Sequence, residues 1–539
     1  MPEPIDPLID ALLADEFAAA PTLATALGAD GYDHLLPDLT ASAIRSREVK
    51  DDEWAARFSA VPDDALSPDE RIDRDLVLST LRGRRAMRDW AVWRRNPDTY
   101  LNPGLGGVFH LFLHRTRPEE ALAAAAADRL RGVPALLDAA RANLDPELAS
   151  PIFVQRAIGQ ARAGAGYARD VVPGEVAGDS ARSLLVAAGE VAASAYSEFG
   201  TWLEDLAGRA TGSYAIGEER YSALLVEKEG LSYGARELRD RGQAVYDELA
   251  ADLRRRTVDL AGHEDWRALL NELNADHPAT PEEMRQGYAD ATARARDFCI
   301  EHDLVTLPAG EECRVVPSPA FQRPILAVAS YMSPPAFKPS MIGHFFVPYP
   351  PEGVSADEIQ QRLATNSWHA MPTISVHEAY PGHHWHLTHV QTRPRLVRKV
   401  LGTAYFSEGW GLYVEEMMRR KGFFTDPRHE LCQVDARLFR AARIVVDTSL
   451  HMGEMTVEEA VTFMTTKASL SEPTARAEVG RYCTWPTQAS SYLTGALEID
   501  RIHDEWMAHS RGSLREFHDT IAGSGMLPIA LAERAVLGG

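Results

Sequence analysis

The stretch ISVHEAYPGHHWHLTHV, residues 374–390, gathers side chains that can hold a metal ion. His377 is followed at once by Glu378, the pairing of ligand and general base found on zinc-protease helices. A histidine four residues on would share the first one's helix face, but position 381 is proline, and histidines return only at 383 and 384. Over six residues a straight helix climbs roughly 9 Å and turns the two side chains apart. Zinc–nitrogen bonds of about 2.0–2.1 Å cannot span that gap. Pro381 offers no amide hydrogen to the His377 carbonyl and clashes with it, so the helix is expected to kink or bulge there. Gly382 tolerates the backbone that follows. A bulge can return either His383 or His384 to the metal face. His383 is favoured, because Gly382 lets the chain approach closely just before it. The other histidine then supports a ligand or touches substrate.

Two histidines need a third protein ligand, with one position left open. YFSEGWGLYVEEMMRRKG, residues 405–422, is the expected supplier. Glu408 lies in a mostly apolar stretch, where an unpaired carboxylate is expensive, and is read as the third ligand. Glu415 and Glu416 precede Arg419 and Arg420 at ion-pair spacing; Glu415 is also placed to hydrogen-bond a ligating histidine. Glu378 is then the base that takes a proton from water and passes it to a leaving amine. Six of the 18 histidines fall between 369 and 389, which sets a site against a scatter of surface imidazoles.

Positioning such a site falls to helices. Capping patterns recur at Ser67/Glu70, Thr116/Glu119, Thr280/Glu283, Ser355/Glu358 and Thr456/Glu459, each able to pair the free amides of a helix start. Alanine-rich runs such as PEEALAAAAADRLRGVPALLDAARANL and ARSLLVAAGEVAASAYSEFGTWLEDLA repeat apolar residues at three- and four-residue spacing, as an amphipathic helix does. Strand-like alternation is scarce, with HFFVPYP at 344–350 the best candidate. Residues 303–354 are dense in proline and apolar residues and read as extended segments leading into the site. A soft boundary near 300 separates a helical lobe, 1–300, from a lobe carrying the metal site, 301–539.

The 539 residues hold 56 basic and 78 acidic side chains, a net charge of −22. That surface repels nucleic acid and anionic lipid at long range. Four scattered cysteines form no CxxC pair and fit a reducing compartment. No basic leader opens the chain, and no run of about 18 apolar residues appears, so a soluble, cytoplasmic protein is expected.

The string His-Glu-x-x-Pro-Gly-His-His, followed by Ser-Glu-Gly-Trp-x-Leu-Tyr-x-Glu, resembles the bacterial family called domain of unknown function 885. That family is similar to helical zinc metallopeptidases of the His-Glu type with a glutamate third ligand. PTLATALGADGYDHLLPDLT near the start, RIVVDTSLH at 443–451 and RYCTWPTQASSYLTG at 481–495 extend the resemblance over almost the whole chain. It implies a metal site of His377, His383 or His384, and Glu408, with Glu378 catalytic. It also draws attention to Arg481, as a clamp for a peptide carboxylate, and to Tyr492, as a donor to an oxyanion. Asp447 and His451 share a helix face and read as a structural pair. The chain departs from the family at Glu454, where tryptophan is common, and at Gly411, where alanine is common. Neither is expected to touch the ligands, while Glu454 is expected to alter the pocket.

The expectation is a mainly α-helical, zinc-metallopeptidase-like fold, two lobes around a deep cleft, with a small extended region near 303–354. One Zn2+ serves hydrolysis of peptide or related amide bonds in small substrates. A non-catalytic metal- or peptide-binding protein and a tailoring amide hydrolase are the alternatives; oligomeric state is not legible.

Overall fold

A computed structural model of the chain describes residues 4–319, 323, 328–351 and 353–538. Among the described residues the chain is mainly helical with one three-stranded sheet. It divides into two compact units, Met1–Ile216 with Pro335–Pro339, and Gly217–Pro334 with Ser340–Gly539. The division falls after Ile216, so the helices between 217 and 301 belong to the unit that carries the histidines, where the sequence suggested a boundary near 300.

The alanine-rich runs form the long helices Glu119–Asn143 and Asp179–Ala207 of the first unit. One face of each is buried through small residues, among them Ala123, Ala126, Ala127, Ala188 and Ala192. Four of the five capping patterns pair as expected. Ser67 and Thr456 form reciprocal boxes with Glu70 and Glu459, and Thr280 and Ser355 accept from the amides of Glu283 and Glu358. Thr116 caps nothing, because its helix starts behind Pro118. Glu119 instead accepts from the amides of Ala177 and Gly178.

In the second unit, strands β1 (Glu312–Pro317), β2 (Ser330–Met332) and β3 (Ile342–Val347) lie in the order β1-β3-β2, with β1 parallel and β2 antiparallel to β3. The strand expected at 344–350 is thus real but starts earlier and stops before Pro348, where a ladder amide would be missing. Part of the proline-rich zone, 320–322, 324–327 and 352, lies outside the described residues. Among the described residues no helix is long and apolar enough to cross a membrane.

Two helices of the second unit approach unusually closely. A Cβ on Gly409 of helix Ala404–Arg420 would lie 2.6 Å from the Gly495 backbone on helix Gln488–Ala508. Only glycine at both positions permits this crossing, and it seats the Glu408 helix against the Tyr492 helix.

Candidate metal centre

The helix carrying His377, Met371–Glu378, ends at Glu378, and a new helix, His383–Gln391, begins at His383. The chain does not bulge within one helix, as the sequence suggested; it breaks and restarts. Pro381 removes the amide that would continue the ladder. Gly382 then folds back on the end of the first helix, where a Cβ would overlap the carbonyl oxygens of Val376 and His377. Trp410 donates from its indole nitrogen to the Pro381 carbonyl at 2.8 Å, both partners buried, and so pins the turn to the Glu408 helix.

The break brings His383 beside His377, with ring centroids 4.7 Å apart and planes at 88°. Nε2 of His377 lies 3.6 Å, and Nε2 of His383 3.5 Å, from the same oxygen of Glu408. One ligand atom from each of the three lies within 4.8 Å of the others. Tetrahedral zinc with bonds of about 2.05 Å needs donors about 3.4 Å apart, so the cluster fits the ion with small adjustments. His384 takes no part. Its ring nitrogens pair with the Tyr331 hydroxyl at 2.9 Å and with Glu311 at 2.8 Å, which leaves neither free.

The helix Ala404–Arg420 delivers three residues to His377 along one face. Glu408, Gly411 and Glu415 are spaced three and four apart, so they stack above one another. Glu415 accepts from Nδ1–H of His377 at 2.7 Å and is 1% exposed. That bond turns Nε2 toward Glu408 and fixes the ring. Gly411 lies under the imidazole: a Cβ there would overlap Cε1 and sit 2.7 Å from Nδ1 and 2.8 Å from Nε2. The expectation that Gly411 lies clear of the ligands is therefore corrected. Gly411→Val should displace the ring and weaken zinc binding at least about tenfold, the scale set by disturbing a ligand's support; competition with a chromogenic chelator measures it, and unchanged affinity contradicts the packing. Glu416, by contrast, pairs with Arg419 and Arg420.

Charge in the cluster suits a cation. Burial pulls the His377 imidazole down, but the bonds to Glu408 and Glu415 outweigh it and lift the pKa to about 10. Burial likewise pushes Glu408 up, and the two histidines reverse it, holding the carboxyl well below its usual range. The carboxylates thus hold a positive charge at the point where a divalent ion would sit. Glu378 closes the His377 helix and faces the same cavity. Burial raises its pKa, with the His377 and His383 charges opposing.

That cavity, about 520 Å³, lies within the second unit and is also lined by Tyr492, Arg267, Asp435, Arg440 and Arg443. The Tyr492 ring lies under Arg443 at 4.8 Å and its hydroxyl accepts from Gln488 at 3.3 Å. Arg481 does not line the cavity. Its guanidinium is taken by Glu478, one turn earlier on its own helix, at 2.9 Å, and by Gln488. Glu454 is also absent from the lining and pairs with Arg236 and Arg239, so its expected effect on the pocket is corrected. Asp447 and His451 are fully buried 3.6 Å apart, and Asp447 accepts from Tyr221 at 2.6 Å, a structural arrangement.

The residues missed from the sequence are Asp435 and Arg440, on the long helix Pro427–Met452, and Arg267. Asp435 Oδ1, Arg440 Nε and Arg267 Nε are buried without a hydrogen-bond partner. A signal existed: Cys432, Asp435, Ala436, Phe439, Arg440 and Arg443 all line the cavity at helical spacing. Burial pushes the Asp435 pKa up to about 7, against the Arg267 and Arg440 charges. The folded state therefore keeps a proton that the unfolded chain releases near pH 3.9. That contribution is complete below about pH 3.9 and lost as pH rises through 7. Asp435→Asn should raise the melting temperature at pH 8, with the gain shrinking toward pH 4; calorimetric melts at several pH values check it, and a gain independent of pH contradicts it.

The fold recurs in two solved structures. One is titled a "putative lipoprotein of unknown function" from Shewanella oneidensis, 21% identical, with a TM-score of 0.82, the match covering 99% of this chain and 100% of that one. The other, a "putative lipoprotein" from Colwellia psychrerythraea, is 19% identical, with a TM-score of 0.79 and coverage of 100% and 99%. At these identities the likeness is one of fold. No curated protein matches the chain. Residues 21–536 match the family described as "bacterial protein of unknown function (DUF885)", and the chain belongs to that family.

Proposed function

We propose that the protein is a zinc-dependent hydrolase that cleaves peptide or related amide bonds of small substrates. The observation carrying this reading is the convergence of His377, His383 and Glu408 in a cavity that Glu378 also lines. Zinc held there makes water more acidic and a carbonyl more electrophilic. The chain's own residues do the rest. Glu378, its pKa raised by burial, takes a proton from the attacking water and returns it to the leaving amine. The Tyr492 hydroxyl, kept neutral because burial raises its pKa, donates to the carbonyl oxygen as charge builds there. Glu415 keeps the His377 ring in place.

A cavity of about 520 Å³ takes a substrate of a few residues. The Arg267 and Arg440 side chains that line the cavity suit a free carboxylate, and Asp435 beside them suits an ammonium group. Short peptides with unblocked ends are therefore the substrate class. A synthetic peptide library, digested with and without chelator and mapped by mass spectrometry, tests the reading. Cleavage of short free-ended peptides that stops with chelator and returns with zinc is expected. No cleavage by the zinc-loaded chain, or cleavage indifferent to chelator, contradicts it.

A further inference from the structure

A second histidine group lies apart from the cavity. His369 sits in the turn just before the His377 helix; Asp426 and His429 begin the long helix Pro427–Met452. One ligand atom from each of the three lies within 4.8 Å of the others, and the two rings have centroids 5.9 Å apart. His369 is 3% exposed. Its Nε2 is held by Asp276 at 2.8 Å, which leaves Nδ1 as the second ring nitrogen. That Nδ1, and Nδ1 of His429, are buried with no hydrogen-bond partner. Buried imidazole nitrogens normally find a partner, and an orphaned pair asks for a ligand.

We propose that His369, Asp426 and His429 form a second, structural site for a divalent cation of the zinc class. Two imidazoles and one carboxylate are a donor set that zinc accepts. Asp276 on the far nitrogen of His369 repeats the carboxylate–histidine support that Glu415 gives His377. Asp426 also caps its helix: Oδ1 accepts from the amide and Nε of Arg428, and Oδ2 from Nε and Nη2 of Arg428, so its oxygens open to an ion when the Arg428 side chain swings away. The Arg428 side chain is 50% exposed and can turn to solvent. Arg294 also acts on His429, and its guanidinium stacks over Phe423 at 4.9 Å. Bound there, the ion ties the turn that leads into the His377 helix to the start of the helix bearing Asp435, Arg440 and Arg443. It steadies the two walls of the cavity without touching substrate. The site does not depend on the hydrolase reading.

The test counts metal. Full-length chain without a histidine tag is saturated with zinc, freed of excess by gel filtration and analysed by plasma mass spectrometry. Two zinc ions per chain are expected for the parent, one for His429→Gln, one for Glu408→Ala and none for the double variant. Zinc should also raise the melting temperature of Glu408→Ala, and that rise should vanish in the double variant. A parent that holds one ion, lost in Glu408→Ala and kept in His429→Gln, overturns the second site. An ion lost only in His429→Gln, with Glu408→Ala unchanged, supports the second site and sinks the first. Circular dichroism checks folding. If His429→Gln does not fold, Asp426→Asn, which keeps an oxygen for the helix cap, replaces it in the same comparison.

Discussion

Replacing Glu378 with glutamine should leave zinc binding intact and slow peptide hydrolysis on the order of a thousandfold. Removal of a positioned general base typically costs 10²–10⁴ in rate. Glutamine keeps the size and the helix end but cannot accept the proton. Glu378 is placed for this task by the chain break itself: the helix stops at Glu378, so the carboxyl group stands at its end, beside the ligands and in the cavity. The split between kcat and KM is informative. A base that acts only as the transition state forms lowers kcat and leaves KM nearly unchanged. Steady-state rates on a peptide found by the library digest, with zinc content measured on the same samples, settle the matter. Full activity in Glu378→Gln would remove its assigned role.

Glu408 should matter through metal rather than through protons. Glu408→Ala leaves His377 and His383 without the carboxylate that both now approach at 3.5–3.6 Å. A third of a typical zinc binding energy of about 12 kcal/mol is about 4 kcal/mol, so affinity should fall on the order of a thousandfold. Activity falls with it and returns in part at high zinc. Glu415→Gln should be milder, about 10- to 100-fold, because it loosens a ligand without removing one. Chelator competition gives all three affinities. Equal losses in both variants, or none in Glu408→Ala, contradict the division of roles.

Much of this centre was legible because local chemistry wrote it. The missing histidine at 381, the Pro381–Gly382 pair and the late His383 are neighbours in sequence, and steric rules for proline apply whatever the tertiary fold. Glu408 could be read from the cost of an unpaired carboxylate in an apolar stretch, and Glu415 as a support for a ligating histidine. The form of the distortion was not legible. A bulge and a full break satisfy the same local rules, and the break is stabilised from a distance, by Trp410 reaching the Pro381 carbonyl. Partners far apart in sequence were hidden for the same reason. Arg481 looks available until Glu478 is seen to hold it. Arg267 enters the cavity from a helix more than a hundred residues before His377. The boundary after Ile216 falls within a short segment running from Gly212 to Gly217, a weaker cue than the prolines after 303. Mainly helical architecture, by contrast, followed from periodicity and caps summed over many segments.

Crystals of the full chain, grown metal-free and soaked in zinc, provide the most direct measurement. Anomalous scattering at the zinc edge locates the ion without reference to activity. A peak should lie about 2.0–2.2 Å from Nε2 of His377, Nε2 of His383 and an oxygen of Glu408. A peak coordinated by His384 in place of His383, or none beside His377 at saturating zinc, would contradict the account.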